Sequence, residues 1–200
     1  MKGYCLSVNR KFRYLTGDRS EFSVEHRLMN VLGFFAFIVG SLGIVINLLI
    51  GASVILTLSV AIATVGSFFI FYISRFYRKF VLARSLMTVF MLTVFTYLFF
   101  INNGSRGPIL NLYLVSFLII LFIWNGWQRA IVVSIFLLNI ALFFVLELKF
   151  PDIVEPYPSE HTRIMDVYLS YFLNLFLLAI ILIFAKDSYI AEKRRAERAD

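Results

Sequence analysis

Charge is scarce in this sequence. Asp, Glu, Lys and Arg supply only 16 % of its 200 residues, while AVILMFWYC supply 60 % and ten glycines add to the apolar share. Ordinary globular chains reach about 45–50 % with glycine included. A soluble chain of this length leaves too much surface in water to hide such an excess. Cysteine is nearly absent. The single Cys5 excludes an intramolecular disulfide and a cysteine-based metal site. Histidine is limited to His26 and His161. The topology argued below puts them on opposite sides of a membrane, so they form no joint metal site. None of the four prolines falls inside an expected membrane span. No P-loop, GxGxxG, HExxH or GxSxG pattern occurs. The sequence thus carries no cofactor motif and no catalytic constellation, and this chain reads as not an enzyme.

Five stretches lack Asp, Glu, Lys and Arg altogether: 28–74, 85–105, 107–128, 130–146 and 167–185. A helix needs about 20 apolar residues to cross ~30 Å of hydrocarbon. The first stretch, 47 residues long, is too long for one crossing. It should fold back near Asn47–Ser53, where Gly51 can bend the chain without a Cβ penalty. Six helices are expected, near 29–49, 53–73, 81–101, 109–125, 130–148 and 164–185. The runs are continuously apolar rather than alternating, which excludes a β-barrel. In lipid each segment must satisfy its own backbone hydrogen bonds, which leaves helices. The fold class is all-α, a polytopic membrane protein with six transmembrane helices. No acid lies mid-run, which counts against a proton-coupled transporter.

The 19 Lys and Arg residues are split unevenly by these spans. Sixteen lie before the first span, between spans two and three, between spans four and five, and after the last. Only Arg106, Lys149 and Arg163 lie on the other side. The positive-inside rule places the larger group, and both termini, in the cytoplasm. The net charge of +7 is then topology and attraction to anionic membrane lipids. It is not a nucleic-acid footprint.

The chain divides into a cytoplasmic segment, 1–28, a six-helix domain, 29–185, and the start of a cytoplasmic helix, 186–200. Residues 18–30 read as a short interfacial helix capped by Asp18 or Ser20. Phe22, Leu28 and Met29 would face lipid. Arg19, Glu25, His26 and Arg27 would face water, with His26 either structural or pH-sensitive. The tail 182–200 has no Gly or Pro, so the last span should continue as one helix. Heptad positions a and d then fall on Leu182, Ala185, Tyr189, Glu192, Ala196 and Ala199. Ala185 and the four after it are the expected signal-relay set. The helix meets no stop signal before Asp200, so an output domain is expected beyond it.

On the far side, the turn 102–108, NNGSRGP, is compact and ends on a helix-starting proline. The loop 149–163 holds three prolines and reads equally as a lid or a connector. Tyr97, Asn102, Asn103, Arg106, Asn111, Glu147, Asp166, Tyr168 and Tyr171 are the candidate ligand-binding cluster. The competing reading makes them an aromatic belt with helix-end anchors. Asn47, Asn111, Asn139 and Asn174 are candidates for bonds between helices.

Two segments carry a family resemblance. Residues 22–30, FSVEHRLMN, resemble an FSxEHRxxN-like segment, and NNGSRGP resembles an NGGSxGP-like outer turn. Both are similar to the multi-helix membrane sensor regions of bacterial hybrid histidine kinases, and the tail resembles their linker helix. Similar regions also precede cyclase domains. The resemblance implies an input domain in a bacterial inner membrane. It would pass an external or membrane signal, of small-molecule or lipid origin, through its last helix. The implied partners are a second copy of the chain and a cytoplasmic kinase domain in the full-length protein. No kinase residue lies in this chain. A small polytopic transporter or channel subunit is the alternative, although no internal repeat is evident.

Overall fold

A computed structural model describes residues 14–18 and 20–197, with the side chains of residue 188 and residues 191–196 excepted. Among the described residues the regular structure is entirely helical. Six main helices follow in chain order: α1 (Val24–Ile50), α2 (Val54–Arg75), α3 (Phe80–Ile101), α4 (Ile109–Ile123), α5 (Gly126–Lys149) and α6 (Glu160–Ala196). Two short 3₁₀ turns, Gly104–Arg106 and Pro151–Ile153, flank α4 and follow α5. Five of the six helices are long and apolar enough to cross a membrane.

The helix ends follow local chemistry. Ser23 caps α1 by accepting from the His26 amide at 3.2 Å, and Ser53 caps α2 by accepting from Leu56 at 3.1 Å. Between them Gly51 adopts φ +69° and donates to the Asn47 carbonyl. The expected fold-back therefore sits on that glycine, a left-handed position that a side chain would strain. Within the helices, Ser41, Ser59, Thr64, Ser67, Thr96 and Ser116 each bond the carbonyl four residues back. These hydroxyls are satisfied in their own helix, so an apolar surrounding does not penalise them.

α4 departs from the expected span. Its 15 residues rise only ~22 Å, short of a ~30 Å crossing. Trp124, at its end, donates from Nε1 to Thr88 Oγ1 at 3.0 Å. That places the α4–α5 corner two turns inside the start of α3. Arg84 covers the corner, its guanidinium 4.4 Å from the Trp124 ring centroid. α4 is also the bundle's central helix, packed on α1, α3, α5 and α6. Tyr113, Ile120 and Ile123 are fully buried, as expected of a helix apolar all round. The outer helices turn large apolar side chains outward, among them Leu49 (80 % exposed), Leu138 (70 %) and Phe172 (72 %). Such an apolar exterior suits a bilayer.

The core has two parts. Leu28, Met29, Leu32, Ile70, Met87, Ile119 and Ile181 fill the end where Arg75, Arg78 and Arg84 cluster, here the basic end. Leu98, Phe99, Tyr113, Phe136 and Phe143 fill the far end.

The segment before the first span differs from expectation. The helix starts at Val24 and runs on without a break into α1. Asp18 instead closes a turn, accepting from the Ser20 amide at 3.1 Å through its side chain and from Phe22 at 3.0 Å through its carbonyl. Phe22, Leu28 and Met29 are buried at 5 %, 2 % and 1 % exposure. They pack inward: Leu28 and Met29 join Ile70, Met87 and Ile119 in the helix core, and Phe22 lies against the His26 ring.

Candidate functional site

Two polar networks sit at opposite ends of the bundle. At the basic end, Asn30 is fully buried and central. Its Nδ2 donates to the Thr16 carbonyl at 2.9 Å, and its Oδ1 accepts from Ser74 Oγ at 2.5 Å. The His26 ring Nε2 meets the Ser74 carbonyl at 2.9 Å. That ring is packed between Phe22 and Phe80, at centroid distances of 4.7 and 4.9 Å. Arg75 donates to the Tyr14 carbonyl at 2.7 Å and lies 5.1 Å from the Phe22 centroid. His26 is thus a clasp residue, joining the N-terminal segment to α2.

The far-end network is built around Asp166, six residues into α6 and 8 % exposed. Its Oδ2 accepts from Asn102 Nδ2 at 3.2 Å and from the Tyr157 hydroxyl. Ser170, one turn on, donates to Oδ1 at 3.5 Å. Burial, and then the neighbouring Asp166 charge, push the Tyr157 hydroxyl well above its usual range. Tyr157 therefore stays protonated and donates. The acceptor atom of the Asn102 amide, Oδ1, is buried and has no hydrogen-bond partner.

Beneath this head lies a cavity of about 230 Å³. Five helices line it, α1, α2, α3, α4 and α6, with Asn102, Asp166, Ser170 and Asn47 at its polar end and mostly apolar side chains along the rest, interrupted by Thr64, Ser67 and Ser116. The room exists because α1 presents Gly33, Ala36, Gly40 and Gly43. Gly40 is forced. A Cβ there would run into the Thr64 hydroxyl, so α1 and α2 approach closely only with glycine at this position.

Of the nine expected cluster residues, only Asn102 and Asp166 meet here. Tyr97, Tyr168 and Tyr171 are 50 %, 71 % and 50 % exposed and turn outward. They lie on the outer surface and not in the Asp166 network. Glu147 serves the turn instead. Its Oε1 accepts from the Ser105 amide at 3.2 Å and from Ser105 Oγ at 3.0 Å, beside Gly104 at φ +54°. Asn103 is left-handed at φ 63°, and its amide donates to the Glu155 carbonyl at 3.1 Å. Arg106 and Asn103 line an outer pocket of about 400 Å³ with Tyr157, Glu160 and Arg163. Among the described residues no hydrogen bond joins Asn111 to Asp166. Of the neutral candidates, Asn139 does link helices, accepting from the Tyr113 hydroxyl and donating to Thr96 Oγ1 at 3.3 Å. The Asn174 amide is buried with both atoms unpartnered.

Two residues were missed. Ser170 is the helical i+4 neighbour of Asp166, a spacing visible in sequence. Tyr157 lies between Pro156 and Pro158, and nothing in its local pattern points at Asp166. Its loop is tied to the end of α3: the Glu155 amide donates to the Phe100 carbonyl at 2.8 Å. Of the relay set, Ala185 is half-buried and Tyr189 is 67 % exposed. Glu192 and Ala196 lie within α6, their side chains outside the described residues, and Ala199 lies outside them altogether.

No protein-family model, curated protein or solved structure matches the chain.

Proposed function

We propose that the chain is the membrane input domain of a bacterial sensor protein, with a histidine kinase as the output its sequence resembles. All six helices would cross the inner membrane, α4 as a short central span, with the basic end and both termini in the cytoplasm. One observation carries this reading. α6 holds Asp166 at the far end and continues unbroken to Ala196, a helix of 37 residues or ~55 Å. Its contacts with the basic-end core are made by Leu177, Ile181 and Phe184. A shift of Asp166 would then pivot α6 about those residues. The arm to Asp166 is ~20 Å and the arm to Ala196 is ~25 Å, so the motion arrives at the cytoplasmic end undiminished. A second copy packed along the tail would receive it as a change in helix register or tilt.

The test is to read the native gene past the codon for Asp200. An in-frame signalling domain, kinase or cyclase, is the expected result. A stop codon within the next few positions would overturn the reading and redirect work to transport assays in proteoliposomes.

A further inference from the structure

The cavity and its head differ in chemistry, and the difference selects a ligand. The lining extends along α4 from Ile109 to Ile119, a rise of ~15 Å. Its volume of about 230 Å³ is spread along that length. The space is therefore a slot of chain length.

At the head the donors are already used. Asn102 Nδ2, the Tyr157 hydroxyl and Ser170 Oγ all point at Asp166. What remains on offer is mainly acceptors: the Asp166 carboxylate and the orphaned, buried Asn102 Oδ1. Asn47 adds an amide that can serve either way. No Lys or Arg lines the slot, so nothing there balances an incoming negative charge. A buried acceptor left unpaired is costly, and a ligand that supplies its hydrogen removes that cost.

We infer that the slot binds a single-chain amphiphile whose head carries a hydrogen-bond donor and no negative charge, an alkylammonium or an alkanol. The apolar chain lies along α1 and α4, and the head meets Asp166 and Asn102. An alkanoate would set its carboxylate against Asp166. An alkane would leave Asn102 Oδ1 without a partner. As the stimulus of a sensor, this molecule rests on the proposed function; as an occupant of the slot, it is measured without any output domain.

The test uses the whole chain in nanodiscs and four photoreactive probes of equal length. These are decylamine, decanol, decanoate and decane, each with a diazirine at the same carbon. Peptide mapping should place amine and alcohol labels on α1 and α4, about tenfold above the other two. Unlabelled decanol should compete them away. Asp166→Asn, which keeps the shape, should lower the preference for amine over acid by about tenfold and change alcohol labelling little. Ala36→Phe should block all labelling while the thermal melt persists. Equal labelling by all four probes would make the slot a plain acyl-chain groove and overturn the inference. So would preference for the acid, or no slot labelling in the parent chain. A stop codon after Asp200 would remove the sensor reading and leave the labelling result standing.

Discussion

The two polar networks use similar residues to opposite ends. At the basic end every group of Asn30 is matched: Thr16, Ser74 and His26 close the network among backbone and side chains. Aromatic rings seal it on both sides. At the far end the Asp166 network stops one partner short, with Asn102 Oδ1 unpaired above a cavity. A saturated buried network rigidifies and specifies a fold. An unsaturated one beside a void keeps a reserve that a ligand can claim. The comparison separates the part of the molecule that holds it together from the part that can respond.

The largest effect that breaks this contrast should come from Asn30→Leu. It strands the Ser74 hydroxyl and the Thr16 carbonyl, and should cost about 2–3 kcal/mol in unfolding from mixed micelles. A variant as stable as the parent would show that the clasp is dispensable. Next comes Gly40→Val, where the new side chain meets Thr64. Overpacking of this kind should cost about 1–3 kcal/mol. Gly43→Ala is its control, because a Cβ there would sit 3.6 Å from Val60 Cγ1, an ordinary contact. That change should leave stability level or raise it by about 0.5 kcal/mol; a loss matching Gly40→Val would show that the two glycines are not distinguished by Thr64.

Smaller changes sharpen the contrast at the far end. Tyr157→Phe removes one donor to Asp166 and should cost only about 0.6–1 kcal/mol. In the same variant the Asp166 carboxylate gains an open position, so decylamine labelling should rise rather than fall. A loss as large as that of Asn30→Leu would mean that the far network is structural after all. The smallest effect belongs to Glu21→Ala. The Glu21–Arg78 pair is 2.8 Å long, with side chains 48 % and 60 % exposed. Such pairs give about 0–1 kcal/mol, and melting in high salt should erase even that.

The helix positions were legible because lipid admits few solutions. Charge-free runs had to become helices, and Gly51 had to absorb the reversal between α1 and α2. The shortness of α4 was not legible. The run 107–128 stays uncharged through Trp124 and Asn125, so composition does not mark the corner that Trp124 makes with Thr88. Phe22, Leu28 and Met29 were misplaced for a related reason. Their pattern fits a lipid-facing stripe, and only the packing of α2, α3 and α4 around Leu28 and Met29, and of His26 on Phe22, buries them. At the site, Asp166 and Asn102 stood out as polar residues at span ends. The outward tyrosines looked the same in sequence, since helix rotation, not residue type, decides which way each side chain points.

The sequence alone determined the all-helical membrane class and the positions of the long apolar helices, because each depends on solvation of one segment at a time. A run of apolar residues meets hydrocarbon whatever its neighbours do. Tertiary structure decided which polar groups meet, which of the glycines is sterically required, and where the bundle stays unfilled. Those outcomes depend on distances between segments far apart in the chain, 64 residues in the case of Asn102 and Asp166. No local pattern encodes such a distance.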